Sequence, residues 1–315
     1  MKKYKFISTL RFLNIEVKLN EPFTLIPGID LINDKKKISE ILDDEFQSIA
    51  GKIETEHFKN ANHIIFCEFD ESMMNFPNSN QALTTWIIWV DLLIKDAWLV
   101  KDNAISCEIA YMKMTEGIHS EWSNNSLFSP PSFSSGEKYK EIKFSYEDLV
   151  EWESQSNKLQ TYLHEKNSSI YNSFINKEYS RLGRSLRFII ASRRESHPAI
   201  KIAHYCSAFE SLFSTDNTEL SHKLSERVAL FLKNYGYDPL IVFDDIKSFY
   251  NIRSKVTHGD SLQDKRINTI PDLSIKCDDY LRFIINEILN DSKLIDIFDS
   301  KKEIQEKYFK ELIFS

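Results

Sequence analysis

Along the first half of the chain, some segments have apolar residues at the spacing of a strand and others have them at the spacing of a helix. This pattern predicts a region that mixes strands and helices. Short runs rich in β-branched and aromatic residues are typical of strands, and Pro22, Pro27 and Gly28 interrupt them. Apolar residues at helical spacing indicate helices between these runs. The predicted strands cover 4–13, 15–19, 63–69 and 104–114, the predicted helices cover 39–53, 81–95 and 146–165, and a loop rich in Ser, Asn and Pro covers 120–137.

The second half of the chain shows helical spacing almost throughout. Its connections are short, which favours antiparallel neighbours and hence a bundle. We therefore predict an α+β fold, with a mixed α/β N-terminal domain over 1–168 followed by an all-α bundle over 169–315. The predicted helices of the bundle lie near 170–194, 198–214, 218–234, 239–257, 270–291 and 302–312.

The fourth of these helices carries the strongest candidate chemistry. Asp238 followed by Pro239 is a typical helix start, and Gly259 is a typical stop. Near the predicted end lie Arg253 and His258, five residues apart. Five residues turn a helix through about 140° net, so the two side chains share a site only if His258 lies in the last turn. Gly259 favours that position.

An arginine and a histidine are sufficient to cleave RNA without a metal. The histidine can move a proton at neutral pH, and a helix C-terminus favours its protonated form. The arginine can hold a phosphate through a bidentate fork. From the spacing alone, an unrelated arginine and a helix-capping histidine are the default interpretation, because short motifs often arise by chance.

Three blocks of sequence add context to the pair. The pair itself lies in Tyr250-Asn-Ile-Arg-Ser-Lys-Val-Thr-His-Gly259, and the earlier blocks are Ala208-Phe-Glu-Ser-Leu-Phe213 and Thr218-Glu-Leu-Ser-His-Lys-Leu-Ser-Glu-Arg-Val-Ala-Leu-Phe-Leu232. Together, over about 180–290, they resemble the HEPN superfamily of Arg-x4–6-His ribonucleases, and most nearly its Apea-like branch. Ser254 stands where many members carry Asn or another polar group.

The resemblance implies a metal-independent endoribonuclease in which Arg253 and His258 are catalytic and the products end in 2′,3′-cyclic phosphate. It also implies a homodimer with a composite site, an RNA substrate that includes tRNA among the candidates, and a toxin-like role in antiphage defence by abortive infection. The N-terminal domain would then sense a trigger, phage-derived or other. Two alternatives remain open: a non-catalytic HEPN-like module that binds nucleotides or proteins, and a structural helical dimer with a ligand-binding partner domain.

Charge is distributed unevenly around this candidate site. The chain has a formal net charge of −7, yet nine of its ten arginines lie after residue 170. Arg181, Arg184 and Arg187 recur at three-residue steps and, with Lys255, are candidates to contact the RNA backbone, although a solvated surface is favoured for the ridge.

Two further residues are supporting candidates because of their helical surroundings. Glu210 falls on an apolar helix, and a carboxylate there needs a partner. It either orients Arg253 or His258, or pairs with Arg227 in the bundle interior; we favour the pair with Arg227.

Composition limits the remaining classes of protein. The four cysteines are widely spaced and suggest no zinc site, and His57 and His63 match no metal template, so we expect no metal and no cofactor. The longest apolar stretch, 85–99, is interrupted by charges and too short to span a bilayer. The N-terminus lacks the apolar core of a signal peptide, so we expect a cytoplasmic protein without a membrane partner.

Overall fold

The computed structural model describes residues 1–126, 131–165, 180–215, 220–259 and 268–314. Its architecture is α+β, as predicted: an antiparallel sheet occupies the N-terminal part and helices occupy the C-terminal part. The parts of the predicted helices that cover 170–179 and 218–219, and the part of the predicted loop that covers 127–130, lie outside the described residues. None of the described helices is both long and apolar enough to cross a membrane.

The sheet has six strands, and every neighbouring pair runs antiparallel, in the order β3-β4-β5-β1-β6-β7. A separate parallel pair joins β2 to β8. The strands are β1 Lys2–Arg11, β2 Leu13–Ile15, β3 Phe23–Ile26, β4 Ile29–Ile32, β5 Ile64–Asp70, β6 Ser106–Glu116, β7 His119–Ser126 and β8 Ile142–Phe144.

Four helices accompany these strands. Asn78 caps α3 by accepting a hydrogen bond from the amide of Gln81, and the buried stripe of α3 includes Trp86, whose ring stacks on Phe69 at 4.3 Å. The helix α2 is kinked at Gly51, which adopts a φ of 78°. The four helices are α1 Lys35–Ile41, α2 Asp44–Asn60, α3 Ser79–Asp96 and α4 Tyr146–Glu165.

In this part the predicted loop 120–137 and the predicted strand 15–19 were wrong, the predicted helix 39–53 is divided between α1 and α2, and one hairpin was missed. The loop predicted over 120–137 begins with the strand β7, because a strand at the edge of a sheet can be polar on both faces. The strand predicted over 15–19 overlaps β2 only at Ile15. Beyond that point the amide of Leu19 donates to the side chain of Asn33 instead of to a neighbouring strand. The hairpin of β3 and β4 was missed. Pro27 and Gly28, which the sequence analysis took only as interruptions, lie at the turn between these two strands, and Gly28 has a φ of 85°.

The chain divides into two compact units. Unit 1 contains Met1–Pro131 and Tyr139–Asn157, and unit 2 contains Ser132–Lys138 and Lys158–Ser315. The domain boundary expected at 168/169 therefore lies later in the chain than the change of unit, which falls within α4. The short segment 132–138 belongs to unit 2 because the Ser132 amide donates to the carbonyl of Arg193 at 2.8 Å, and the fully buried Lys201 donates to the carbonyl of Ser132 at 3.3 Å.

Unit 2 is built around one buried helix, α6, which packs against α5, α8 and α9. Nine of its sixteen residues are buried, including Tyr205, Phe209 and Phe213. The predicted helices of this half agree with the structure within a few residues, apart from one short helix between the last two that was missed. The helices are α5 Arg181–Arg194, α6 Pro198–Phe213, α7 Leu220–Lys233, α8 Pro239–His258, α9 Ile270–Asn290, α10 Ser292–Phe298 and α11 Lys302–Phe314.

Candidate active site

The helix α8 begins and ends where its sequence predicts. The side chain of Asp238 accepts hydrogen bonds from the amides of Leu240 at 2.9 Å and Ile241 at 3.4 Å, and Pro239 occupies the first turn. Gly259 closes the helix in the left-handed conformation, at a φ of 74°. One apolar stripe of α8 is buried, and this fixes which way the helix faces; the stripe consists of Val242, Ile246, Phe249 and Ile252.

Arg253 is held by two neighbours, one on α6 and one on its own helix. Its Nη1 atom lies 2.9 Å from Oε1 of Glu210, and Nη2 donates to Oε2 of Glu210 at 3.2 Å. Nη1 also donates to the hydroxyl of Tyr250 at 2.9 Å, and the guanidinium lies 5.1 Å from the centre of the Tyr250 ring. Glu210 therefore holds the end of the guanidinium through an ion pair that contains one hydrogen bond, from Nη2, and this charge-assisted contact restrains the orientation of Arg253.

One edge of this guanidinium is still available. An arginine carries five N–H groups. In Arg253 one Nη1–H donates to Tyr250 and one Nη2–H donates to Glu210, and the Nε–H and the second Nη2–H make no hydrogen bond to any residue that the structure describes. These two N–H groups lie on the same edge and form the fork that grips a carboxylate or a phosphate.

Burial changes the proton affinity of both neighbours of Arg253. Burial raises the pKa of Glu210 above its ordinary value, and the nearby charge of Arg253 and the Tyr250 hydroxyl oppose that rise. Burial also raises the pKa of Tyr250, and the carboxylate of Glu210 adds to the effect. Glu210 is thus a carboxylate that bears a desolvation cost while it orients a cation.

The favoured pairing of Glu210 with Arg227 was wrong. Arg227 donates to the carbonyl of Phe213 at 2.7 Å, to the hydroxyl of Thr215 at 2.9 Å and to Glu306 at 2.7 Å. Its guanidinium also lies 4.5 Å from the ring centre of Phe309. The acid that neutralises Arg227 comes from α11, near the end of the chain, so Glu210 is left to pair with Arg253.

Arg253 and Glu210 line an open cleft of about 420 Å³ in unit 2, between α5, α6, α8 and the start of α7. Arg181 and Arg184 of the predicted basic ridge line the same cleft, so these two do not form a merely solvated surface. Among the described residues, the lining consists of Arg181, Arg184, Phe188, Ser207, Glu210, Ser211, Ser214, Leu220 and Arg253.

Arg181 is anchored within this cleft. Its Nη1 donates to the carbonyl of Ser214 at 2.6 Å and, more weakly, to that of Ser211 at 3.5 Å. Burial lowers the pKa of Arg181 from its ordinary value, and repulsion from Arg184 and Arg227 contributes to the shift. The cleft therefore concentrates positive charge at an energetic cost to the folded chain.

His258 lies elsewhere on α8. It is the last residue of the helix and is exposed, and it is not among the described residues that line the cleft. Because the helix is continuous to His258, the separation of five residues places the two side chains about 140° apart around the axis and about 7.5 Å apart along it. Within one chain, Arg253 and His258 therefore face different directions.

The other candidate residues are also dispersed. Ser254 is exposed on α8, and Lys255 is partly buried in its last turn. Arg187 is partly buried on α5 and does not line the described cleft.

Tyr250 and Phe188 were missed by the sequence reasoning. Tyr250 precedes Arg253 by three residues, a spacing that puts both on one helical face and could have been noticed. Phe188 follows Arg184 by four residues, with the same consequence.

His57 and His63, the two histidines weighed against a metal template, lie in different surroundings in unit 1. Nε2 of His57 lies 2.8 Å from Glu108, and burial lowers the pKa of His63 to about 4. Across the described ranges, no three His, Cys, Asp or Glu side chains come together in a way that could hold a metal ion.

Comparisons of this chain with protein-family models, with curated proteins and with solved structures find no match.

Proposed function

We propose that this protein is a metal-independent endoribonuclease of HEPN type whose site contains Arg253 and His258. The observation that carries the proposal is the position of Arg253: the ion pair with Glu210 and the hydrogen bond to the Tyr250 hydroxyl hold it at an arginine-lined cleft, with one N–H edge available. An arginine fixed in this way can stabilise the charge that develops on a phosphoryl group without the need for a metal.

Arg253 would act on the scissile phosphate. Its Nε–H and second Nη2–H would donate to the two non-bridging oxygens, and these hydrogen bonds would strengthen as negative charge grows in the transition state. Glu210 and Tyr250 are positioning residues in this scheme, because they act through the orientation of the guanidinium. A pre-oriented fork loses little freedom on binding, which favours the transition state.

His258 would move the protons. An imidazole in the last turn of a helix can take the proton of a ribose 2′-OH or give one to the leaving 5′-oxygen. Attack by the 2′-oxygen on the phosphorus expels the 5′-oxygen, so one product would end in a 2′,3′-cyclic phosphate and the other in a 5′-hydroxyl. Ser254 and Lys255 lie between the two proposed catalytic residues and would contact the same RNA segment.

The divergence of Arg253 and His258 on one helix supports a site that two chains share. A homodimer that brings two copies of α8 together could place the Arg253 of one chain opposite the His258 of the other. Closed symmetric pairs are the commonest oligomers, and such a pair makes two equivalent sites.

The proposed biological role is that of a toxin-like effector in antiphage defence, acting in the cytoplasm on RNA such as tRNA. Unit 1 would receive the activating signal, phage-derived or other. The support for this role is the resemblance of three sequence blocks in unit 2 to HEPN defence ribonucleases.

A second function is favoured by one specific observation. His258 is exposed and is not among the described residues that line the cleft with Arg253. A bundle that binds a nucleotide or a protein partner through that cleft, without cleaving RNA, would have no need of His258. Growth of the expressing cells separates the two functions: the nuclease arrests growth in wild-type form and not as His258→Ala, whereas a binding module affects growth equally in both forms.

Mixing two inactive variants tests the nuclease and its shared site together. Arg253→Gln and His258→Ala chains should each fail to cleave RNA in EDTA. After they are unfolded and refolded together, mixed dimers should regain cleavage, because one of their two sites pairs an intact Arg253 with an intact His258. The matched control is His222→Ala, another exposed histidine of unit 2, which should cleave at the wild-type rate. Cleavage by the His258→Ala chain alone at the wild-type rate would refute the assignment.

A further inference from the structure

We infer that unit 1 holds a ligand site of its own, a cavity that takes a small zwitterion of about dipeptide length, with its carboxylate on Arg11 and its ammonium on Glu54. The unit 1 cavity measures about 350 Å³, and its described lining comes from the second half of α2, the end of β1, the start of β6 and the end of β7. The inference goes beyond the proposed function, because it concerns unit 1 and needs neither RNA nor cleavage.

A β-bulge shapes one wall of the unit 1 cavity. The pairing of β1 with β6 shifts its register between Ser8 and Leu10. The single residue between them, Thr9, therefore faces two residues of β6, Glu108 and Ile109, and both of these are partly buried and line the cavity. A regular strand would direct two successive side chains to opposite faces, whereas a bulge re-aims a side chain, and bulges are over-represented beside functional sites.

Glu108 holds two other side chains of this wall in place. Its carboxylate accepts a hydrogen bond from the Thr9 hydroxyl at 3.0 Å, and it lies 2.7 Å from Nε of Arg11 and 2.8 Å from Nε2 of His57. An ionised carboxylate only accepts hydrogen bonds, so Nε2 of His57 carries a proton and Nδ1 is left for other contacts. Glu108 is thus a positioning residue that keeps Arg11 and His57 beside each other.

Two charged groups of the cavity keep their binding atoms available. Arg11 contacts Glu108 through Nε, and its two Nη atoms make no hydrogen bond to any residue that the structure describes. The pair of Nη groups is a fork that matches a carboxylate. Glu54 is partly buried and has no hydrogen bond or ion pair with the described part of the chain. A carboxylate that is shielded from water without a partner bears a cost, which the ammonium of a ligand would remove.

The order of these groups sets the length of the ligand. Contacts run from Arg11 to Glu108 and on to His57, and Glu54 lies one turn before His57 on the same face of α2. One carboxylate and one imidazole therefore stand between the fork of Arg11 and Glu54. In a free amino acid the ammonium and the carboxylate share one carbon atom and are too close together to reach both. A dipeptide separates them by a peptide group.

The rest of the lining fits a peptide with apolar side chains. Ile53 is 84% exposed at the cavity, and covering such a side chain together with Ile109 favours binding. Ser106 and Ser126 also line the cavity, and a hydroxyl can donate to or accept from a peptide group. Burial raises the pKa of Cys107 to about 11, so this thiol stays neutral and is not a nucleophile at neutral pH.

The test measures binding to the full-length chain by calorimetry, with leucyl-leucine as the probe. Three related probes each lack one feature: N-acetyl-leucyl-leucine lacks the ammonium, leucyl-leucinamide lacks the carboxylate, and leucine lacks the length. We expect leucyl-leucine to bind about 10- to 150-fold more tightly than either capped dipeptide, the factor for one hydrogen bond to a charged group, and more tightly than leucine. Absence of binding by leucyl-leucine overturns the inference, and so does equal or tighter binding of any of the other three probes.

Two variants assign the two charges of the ligand. Arg11→Gln should remove the preference for leucyl-leucine over its amide and keep the preference over the acetylated probe. Glu54→Gln should do the reverse. A loss of structure would weaken all probes alike, whereas the loss of one contact changes one preference only.

Glu56→Gln is the matched control for these variants. Glu56 is an exposed glutamate two residues after Glu54 on α2, and it is not among the described residues that line the cavity. This variant should bind every probe as the wild type does. Uniform weakening of all probes in Arg11→Gln or Glu54→Gln, or a lost preference in Glu56→Gln, would overturn the assignment of the site.

Discussion

Exchanging Glu210 for glutamine tests whether its ion pair with Arg253 exists to position the arginine. The exchange Glu210→Gln keeps the shape of the side chain and one oxygen acceptor, and it removes the negative charge. The side chains of Glu210 and Arg253 are 19% and 27% exposed, between a solvated pair and a fully buried one. A solvated pair contributes about 0–1 kcal/mol, whereas removing one partner of a buried pair costs about 3–5 kcal/mol.

The pKa of Glu210 decides the sign of the expected change. Burial raises this pKa despite the attraction of Arg253, so the folded state penalises the carboxylate more than the unfolded chain does. A carboxyl with a raised pKa in the folded state stabilises the protein fully below its unfolded pKa, and this contribution is lost as the pH rises through the folded pKa. At pH 7 the wild type therefore carries the cost of a buried carboxylate. Glutamine removes that cost along with the attraction, so we expect the free energy of unfolding to change by less than about 1 kcal/mol.

The reverse exchange, Arg253→Gln, should behave differently. It leaves the Glu210 carboxylate buried without its cation, which should cost about 1–3 kcal/mol at pH 7. The loss should shrink as the pH falls toward about 4, because protonation of Glu210 removes the uncompensated charge. If the ion pair stabilises the fold, both variants should lose stability. If the pair mainly orients Arg253, only Arg253→Gln should lose stability.

The distribution of aromatic residues supplies the assay. All five tryptophans, Trp86, Trp89, Trp98, Trp122 and Trp152, lie in unit 1, so tryptophan fluorescence during urea unfolding reports on that unit alone. Ellipticity at the helical wavelength also reports on unit 2. We expect both variants to leave the fluorescence transition unchanged and only Arg253→Gln to lower the ellipticity midpoint at pH 7. A loss of more than about 2 kcal/mol for Glu210→Gln, or equal losses for both variants, would refute the reasoning.

Three further predictions concern stability away from this pair. Arg227→Met should lower the free energy of unfolding of unit 2 by about 3 kcal/mol, because it leaves the buried carbonyl of Phe213 and the partly buried carboxylate of Glu306 without a donor, and a loss below about 1 kcal/mol in the ellipticity transition would contradict this role. Gly136→Ala should destabilise unit 2 by about 2 kcal/mol more than Gly236→Ala, since both positions have a left-handed φ but only at Gly136 would a Cβ come within 2.5 Å of a backbone oxygen, and equal melting temperatures would show that the close approach is harmless. The free energy of unfolding of unit 1 should fall by about 2 kcal/mol between pH 7.5 and pH 5, because His63 has a pKa of about 4 in the fold and about 6.5 when unfolded, and a His63→Gln variant with the same pH dependence in its fluorescence transition would exclude His63 as the cause.

Local signals in the sequence were sufficient for most of the fold. Asp238 and Pro239 predict the start of α8 and Gly259 predicts its end, because each signal depends only on residues at the helix terminus. The structure confirms both. The polar strand β7 and the hairpin of β3 and β4 were not predicted, because their stability comes from pairing with other strands rather than from their own composition. An edge strand exposed on both faces has the composition of a loop.

The candidate site could be predicted only in part, for a related reason. The sequence indicated Arg253 as an important residue and offered Glu210 as one of its possible partners. It could not decide between Arg253 and Arg227, because the answer depends on Glu306, which is 79 residues away from Arg227 along the chain and comes near it only in the folded bundle. The spacing of Phe188 from Arg184 could be read from the sequence, but its place in the cleft could not, since Arg253 of α8 comes near α5 only in the folded bundle.

The chemistry of the RNA ends tests the central claim most directly. RNA incubated with the purified chain in EDTA should give fragments that end in 2′,3′-cyclic phosphate with the wild type and with His222→Ala. We predict that these ends disappear with His258→Ala and with Arg253→Gln, while both variants keep the wild-type ellipticity spectrum. Cyclic-phosphate ends released by His258→Ala at the wild-type rate, or cleavage by the wild type that requires a divalent metal, would contradict the account.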